Sequence, residues 1–185
     1  MKRTLSLILA LVMALSLAAC GKKDDGNADA PADSLALLTK VWDSYTDDEK
    51  FPAAGGDYET SVDDAPGAFD PSNADNLNFL LTVPTEDASL IDDAASLMHM
   101  MNANTFTCGA LRVKNGDDAA KLAEDLLDAI QNKQWMCGFP DKLVVLTMGQ
   151  FVVSVYGAED LVDTFRDKLQ NCFSSAVVVY DESIA

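Results

Sequence analysis

Two positive charges, Lys2 and Arg3, precede an uncharged run from Thr4 to Ala19 built mostly of Leu, Ile, Val, Met and Ala, and the run stops at Cys20. Charge, a short apolar stretch and small residues at its end form the layout of a secretory signal. A stable transmembrane helix needs roughly 20 predominantly apolar residues, whereas here polar residues resume at Gly21, Lys22 and Lys23. Residues 1–19 therefore read as a signal peptide, and they are set aside when the fold is considered. The remainder is expected outside the cytoplasm.

The end of the run, Leu17-Ala18-Ala19-Cys20-Gly21, resembles the lipobox of bacterial lipoproteins. That resemblance implies cleavage between Ala19 and Cys20, lipid on Cys20, and anchorage to the extracytoplasmic face of the cell membrane. Anchorage is physically sufficient, because each buried methylene contributes about 0.8 kcal/mol and two acyl chains hold stably. An ordinary Ala-x-Ala site with a coincidental cysteine is the alternative. From Gly21 to Asp33 there is no large apolar side chain. Such a segment cannot bury enough surface to offset its ordering entropy, so residues 20–33 are expected to be a disordered tether. Asp24, Asp25 and Asp29 lack the spacing of an EF-hand loop and read as part of it.

Residues 34–185 are enough for one globular domain with its own core. The formal charge of −17 deepens to −19 once Lys2 and Arg3 leave with the signal. Acidity on this scale repels phosphate backbones and anionic head groups, and no basic cluster with interleaved aromatics offsets it, which argues against nucleic acid as a partner. Apart from Cys20 the cysteines are Cys108, Cys137 and Cys172, an odd number with no C-x-x-C spacing. A zinc knuckle is thereby unsupported, and any disulfide pairing among the three stays open.

Ser34 is a candidate cap for a helix with Leu35, Leu38, Val41, Trp42 and Tyr45 at helical spacing. Residues 51–76 carry Phe51-Pro52, Gly55-Gly56, Pro66-Gly67 and Asp70-Pro71, which predict a long irregular segment. After a short apolar stretch at Leu77 to Val83, the positions of Leu90, Ile91, Ala94, Met98 and Met101 predict a helix over Thr85 to Met101. A strand over Ser89 to His99 is the alternative there.

Asn104 to Val113 reads as a strand followed by a turn at Asn115-Gly116. A helix follows, with Ala119, Leu122, Ala123, Leu126, Leu127 and Ile130 inward. Leu143 to Met148 and Phe151 to Tyr156 flank Gly149-Gln150, a two-residue linker of the type II′ hairpin kind. Glu159 opens a helix with Leu161, Val162, Phe165, Leu169 and Cys172 spaced for burial, and Ala176 to Tyr180 is a last strand. The order from about residue 104 is β-α-β-β-α-β, which predicts an α+β two-layer sandwich of ferredoxin-like type with an N-terminal helix and irregular extension. That fold hosts many activities and selects none.

The run His99-Met100-Met101-Asn102, then a strand, the turn Lys114-Asn115-Gly116-Asp117, a long helix, a hairpin and a final helix is similar to a known family over about the last half of the chain. It resembles the small uncharacterised lipoproteins of clostridia and related Gram-positive gut bacteria, which carry an α/β domain of unknown function. The resemblance implies an envelope lipoprotein and carries over no catalytic residue.

His99 is the single histidine, so any catalytic triad or multi-histidine metal site would have to use it alone. Flanked by Met98, Met100 and Met101, it raises the reading of copper handling through thioether and imidazole ligands. The plainer reading is methionines filling a core with His99 facing outward. Cys137, just past a predicted helix end, is a candidate nucleophile. A helix C-terminus is the wrong pole for a thiolate, and packing is the rival account. No Walker loop, dinucleotide fingerprint or Gly-x-Ser-x-Gly elbow occurs. With no cofactor implied, the expectation is a membrane-anchored, non-catalytic binding module whose partner is an envelope protein, a peptide or a small ligand. An envelope enzyme using Cys137 or acidic residues is the alternative.

Overall fold

A computed structural model describes residues 30–184. The expected signal peptide, its expected cleavage at Ala19–Cys20 and the expected tether up to residue 29 lie outside the described residues. Pro31–Ala185 forms one compact unit.

Asp33, rather than Ser34, caps the first helix, α1 (Ser34–Asp43): its Oδ1 accepts the Ala36 N–H at 2.7 Å. Leu37, Leu38, Val41 and Trp42 fall on its buried side. Residues 51–76, expected to be irregular, instead supply three short strands, β1 (Ala53–Gly55), β2 (Val62–Asp63) and β3 (Gly67–Phe69). Runs this short carry no readable period, and they are held by buried polar contacts. Asp57 is the hub: its carboxylate accepts from the N–H groups of Glu59, Thr60 and Asp70 and from Thr60 Oγ1, all at 2.9–3.0 Å. Helix α2 (Ala74–Leu81) then starts on the Asn73 side chain and buries Leu77 and Leu81.

The helix predicted over Thr85–Met101 is corrected to strand β4 (Ile91–His99), the alternative reading. This strand is buried on both faces, Ala95 and Leu97 toward one core and Ala94 toward the other, so polar alternation is missing. An irregularity between Ile91 and Asp93 shifts the register further. Together these leave an apolar spacing that imitates a helix.

The later elements fall close to their expected places: β5 (Phe106–Val113), α3 (Ala119–Gln131), β6 (Lys142–Met148), β7 (Phe151–Gly157), α4 (Glu159–Cys172) and β8 (Val177–Ser183). The β6–β7 hairpin closes on the pair Met148 and Phe151. Gly149 has φ +59° and Gln150 is absent from the residues with positive φ, as a type II′ turn requires.

The protein is α+β, with an eight-stranded antiparallel sheet in the order β2-β1-β4-β5-β7-β6-β8 and β3 also paired to β4. The β-α-β-β-α-β succession is present along the chain, but the ferredoxin-like arrangement is not. There the last strand lies beside the first; here β4 pairs along that edge of β5, and β8 lies beside β6. Both crossovers, β5-α3-β6 and β7-α4-β8, therefore step the same way across the sheet from strands that run in opposite directions. Right-handed crossovers of this kind place their helices on opposite faces. Accordingly α1 and α4 pack with Phe106, Val144 and Val155, whereas α2 and α3 pack with Leu111, Val145 and Tyr156. The expected two layers are three, α/β/α. No helix among the described residues is long and apolar enough to cross a membrane.

Candidate functional site

On the α2/α3 face, at the end of the sheet where β4 and α3 finish, a cleft of about 450 Å³ opens. Its walls come from the C-terminal part of α2 (Asn78, Phe79, Leu80), the end of β4 (Met98), the turn Asn102–Asn104, the segment Lys133–Cys137 after α3, and Tyr156 of β7. This volume is that of a small-ligand site. Asn102 and Asn104 tie two of the walls together: Asn102 Nδ2 donates to the Cys137 carbonyl at 3.1 Å and Asn104 Nδ2 to the Gly138 carbonyl at 3.0 Å.

Lys133 is the charged residue of the cleft. Its Nζ donates to Thr82 Oγ1 at 2.8 Å and stands 5.0 Å from the Trp135 ring centroid and 5.8 Å from that of Tyr156. No described carboxylate pairs with it, and burial pulls its pKa below the usual lysine value. Thr82 Oγ1 also lies 3.3 Å from Tyr156 Oη. Burial pushes the Tyr156 phenol up, against hydrogen bonds from Thr82 and Thr107 that pull it down. Trp135 packs on Tyr156 at 5.3 Å, and its indole N–H is buried with no acceptor within hydrogen-bonding distance. A buried donor left without an acceptor costs about 1–3 kcal/mol. At the rim Phe79 is 69% exposed and Met136 92%.

The residues singled out from sequence are dispersed. Cys137 lines the cleft and is exposed, Cys108 is buried, and Cys172 is half-buried with its sulfur 3.7 Å from the Lys40 carbonyl; all three are free thiols. Burial pushes the Cys108 thiol up. Cys137 has no imidazole near it, because His99 lies on the other face of the sheet, stacked on Phe51 at 5.6 Å. Consecutive strand residues point to opposite faces, so Met98 turns into the cleft while His99 turns away from it. The Nδ1 of His99 accepts the Met101 N–H at 3.2 Å. The Met98 thioether and the His99 imidazole of the copper reading thus do not converge. Among the described residues no three His, Cys, Asp or Glu side chains gather as a metal ion needs.

An acidic pair does come together elsewhere. Asp87, 2% exposed, and Asp125 both form salt bridges to Lys121 beside a second cleft of about 340 Å³. Burial, then the neighbouring Asp125, raises the Asp87 pKa against the pull of Lys121. A raised carboxylic acid beside a second carboxylate is general-acid geometry, but the ammonium bonded to both holds them as an ion triad. Neither a family model, nor a curated protein, nor a solved structure matches the chain.

Lys133, Trp135, Tyr156 and Thr82 escaped the sequence reading. The available signal was weak: a lysine and a tryptophan just beyond a helix end, in a chain with few basic residues.

Proposed function

We propose that this chain is a lipoprotein, cleaved behind Ala19 and lipidated on Cys20, whose domain is a non-catalytic binding module working on the outer face of the cell membrane. The cleft around Lys133 is its ligand site. The observation that carries this reading is a half-buried ammonium without a carboxylate partner, set in an apolar cleft of a strongly acidic protein. A lysine that only served solubility would stay in water.

The entry of the chain suits this role. The Ser34 N–H donates to Asp93 Oδ2 at 2.6 Å, and Arg112 reaches the Ala32 carbonyl at 3.5 Å. Both contacts lie at the opposite end of β4 and β5 from the cleft. Asp93 and Met98 are separated by five strand steps, about 17 Å at the usual rise. A tethered domain would carry its cleft away from its point of attachment.

Fractionation and ligand screening test both halves. The full chain expressed in a bacterium should incorporate labelled fatty acid and sediment with membranes, and Cys20→Ala should lose label and processing together. Incorporation of labelled fatty acid by Cys20→Ala equal to that of the wild type would overturn the anchor. A thermal-shift screen should find small ligands that raise the melting temperature of the wild type and not of Lys133→Met. Hits equally effective on both would move the binding site elsewhere.

A further inference from the structure

We infer that the cleft selects small organic carboxylates with an apolar, preferably flat, body. This rests on the reading of the cleft as a ligand site and adds the chemistry of what enters it.

Thirty of the chain's 185 residues are acidic, yet no aspartate or glutamate lines this cleft. Three of its wall amides are already committed, Asn78 Nδ2 to the Val83 carbonyl and Asn102 and Asn104 to Cys137 and Gly138, which leaves Gln134 on the wall. The one charged group that remains for a ligand is a donor. Lys133 spends one of its three protons on Thr82, and the Trp135 N–H is bonded to nothing. An acceptor with negative charge is the complement of the ammonium.

The charge should be single. Helices α2 and α3 both turn their C-terminal ends toward the cleft, each equivalent to roughly half a negative charge. No arginine and no α-helix N-terminus is present among the lining residues to hold a phosphate dianion. One ammonium, partly offset by those helix ends, can hold at most a singly charged group such as a carboxylate. Beside it, Phe79, Met98 and Met136 offer an apolar wall for the rest of the molecule, and the volume admits a compound of modest size.

Calorimetric titration of the full chain in mild detergent tests this, with phenylacetate and hexanoate against phenylacetamide and hexanamide, and with inorganic phosphate. The acids should bind roughly ten- to hundredfold more tightly than their amides, as a hydrogen bond to a charged group predicts, and phosphate should not compete. Lys133→Met should erase the preference for acid over amide, and Lys133→Arg should keep part of it. In a nitrogen-labelled sample, the indole resonance that Trp135→Phe removes should shift on adding the acid. Equal affinity for acid and amide, unchanged in Lys133→Met, would overturn the carboxylate assignment while leaving the cleft as a binding site. No heat and no shift with any of the four organic probes up to millimolar concentration would overturn the site reading as well.

Discussion

Lys133 and Thr82, fifty-one positions apart, meet at 2.8 Å where the chain leaves α3 and α2. The contact joins a desolvated ammonium to a threonine whose backbone is left-handed, with φ +61°. Each is locally unfavourable, and each occurs at the cleft.

Lys133→Met should leave stability near or slightly above wild type. The loss of two cation–π contacts, about 0.5–1 kcal/mol each, is set against relief of a buried charge. The pH dependence carries the sign. A lysine with its folded pKa below its unfolded value opposes folding at neutral pH, and that penalty fades as pH rises through the folded pKa toward the unfolded one. Urea melts at rising alkaline pH should therefore show wild-type stability gaining on that of Lys133→Met.

Thr82→Gly relieves left-handed backbone but removes the oxygen shared by Lys133 and Tyr156. The buried partners should dominate, for a net loss of about 1–2 kcal/mol, whereas Thr82→Ser keeps the hydroxyl and should stay close to wild type. Denaturant midpoints of the two variants separate backbone from hydroxyl.

Asp57→Ala removes the acceptor of four hydrogen bonds that fold residues 57–70. A loss of about 2–3 kcal/mol is expected, read by thermal melting. Burial would raise this carboxyl, but the bonds from Asp70, Thr60 and Glu59 outweigh it and hold the pKa below the ordinary value. The contribution is fully present above the unfolded carboxylate pKa and is lost as pH falls through the lower folded one. The gap between wild type and variant should narrow in acid.

Gly157 has φ +152°, and a Cβ there would lie 2.2 Å from the Thr105 carbonyl oxygen. Gly157→Ala should cost about 3 kcal/mol or more. Gly149 also has positive φ but faces open space, so Gly149→Ala should cost only about 1–2 kcal/mol. Circular dichroism during urea titration ranks the pair.

Much of the fold could be read because some elements state their own burial. In α3, Leu122, Ala123, Leu126 and Ile130 return to one side at helical spacing, and the Gly149-Gln150 linker specifies its hairpin locally. β4 could not be read this way, since a strand covered on both faces shows no polar alternation. Nor could the seat of β8. Its sequence suits any sheet edge, and the choice was made by β4, which already pairs with β5.

The amino-acid sequence alone determined the signal-like run ending at Cys20, the acidity, and the type of most helices and strands from residue 104 onward, because these depend on neighbours along the chain. The tertiary structure decided that α3 and α4 lie on opposite faces, that Met98 and His99 point apart, and that Lys133 meets Thr82, Trp135 and Tyr156. Those are relationships between distant residues. They are set by strand order, crossover handedness and burial, and no local spacing encodes them.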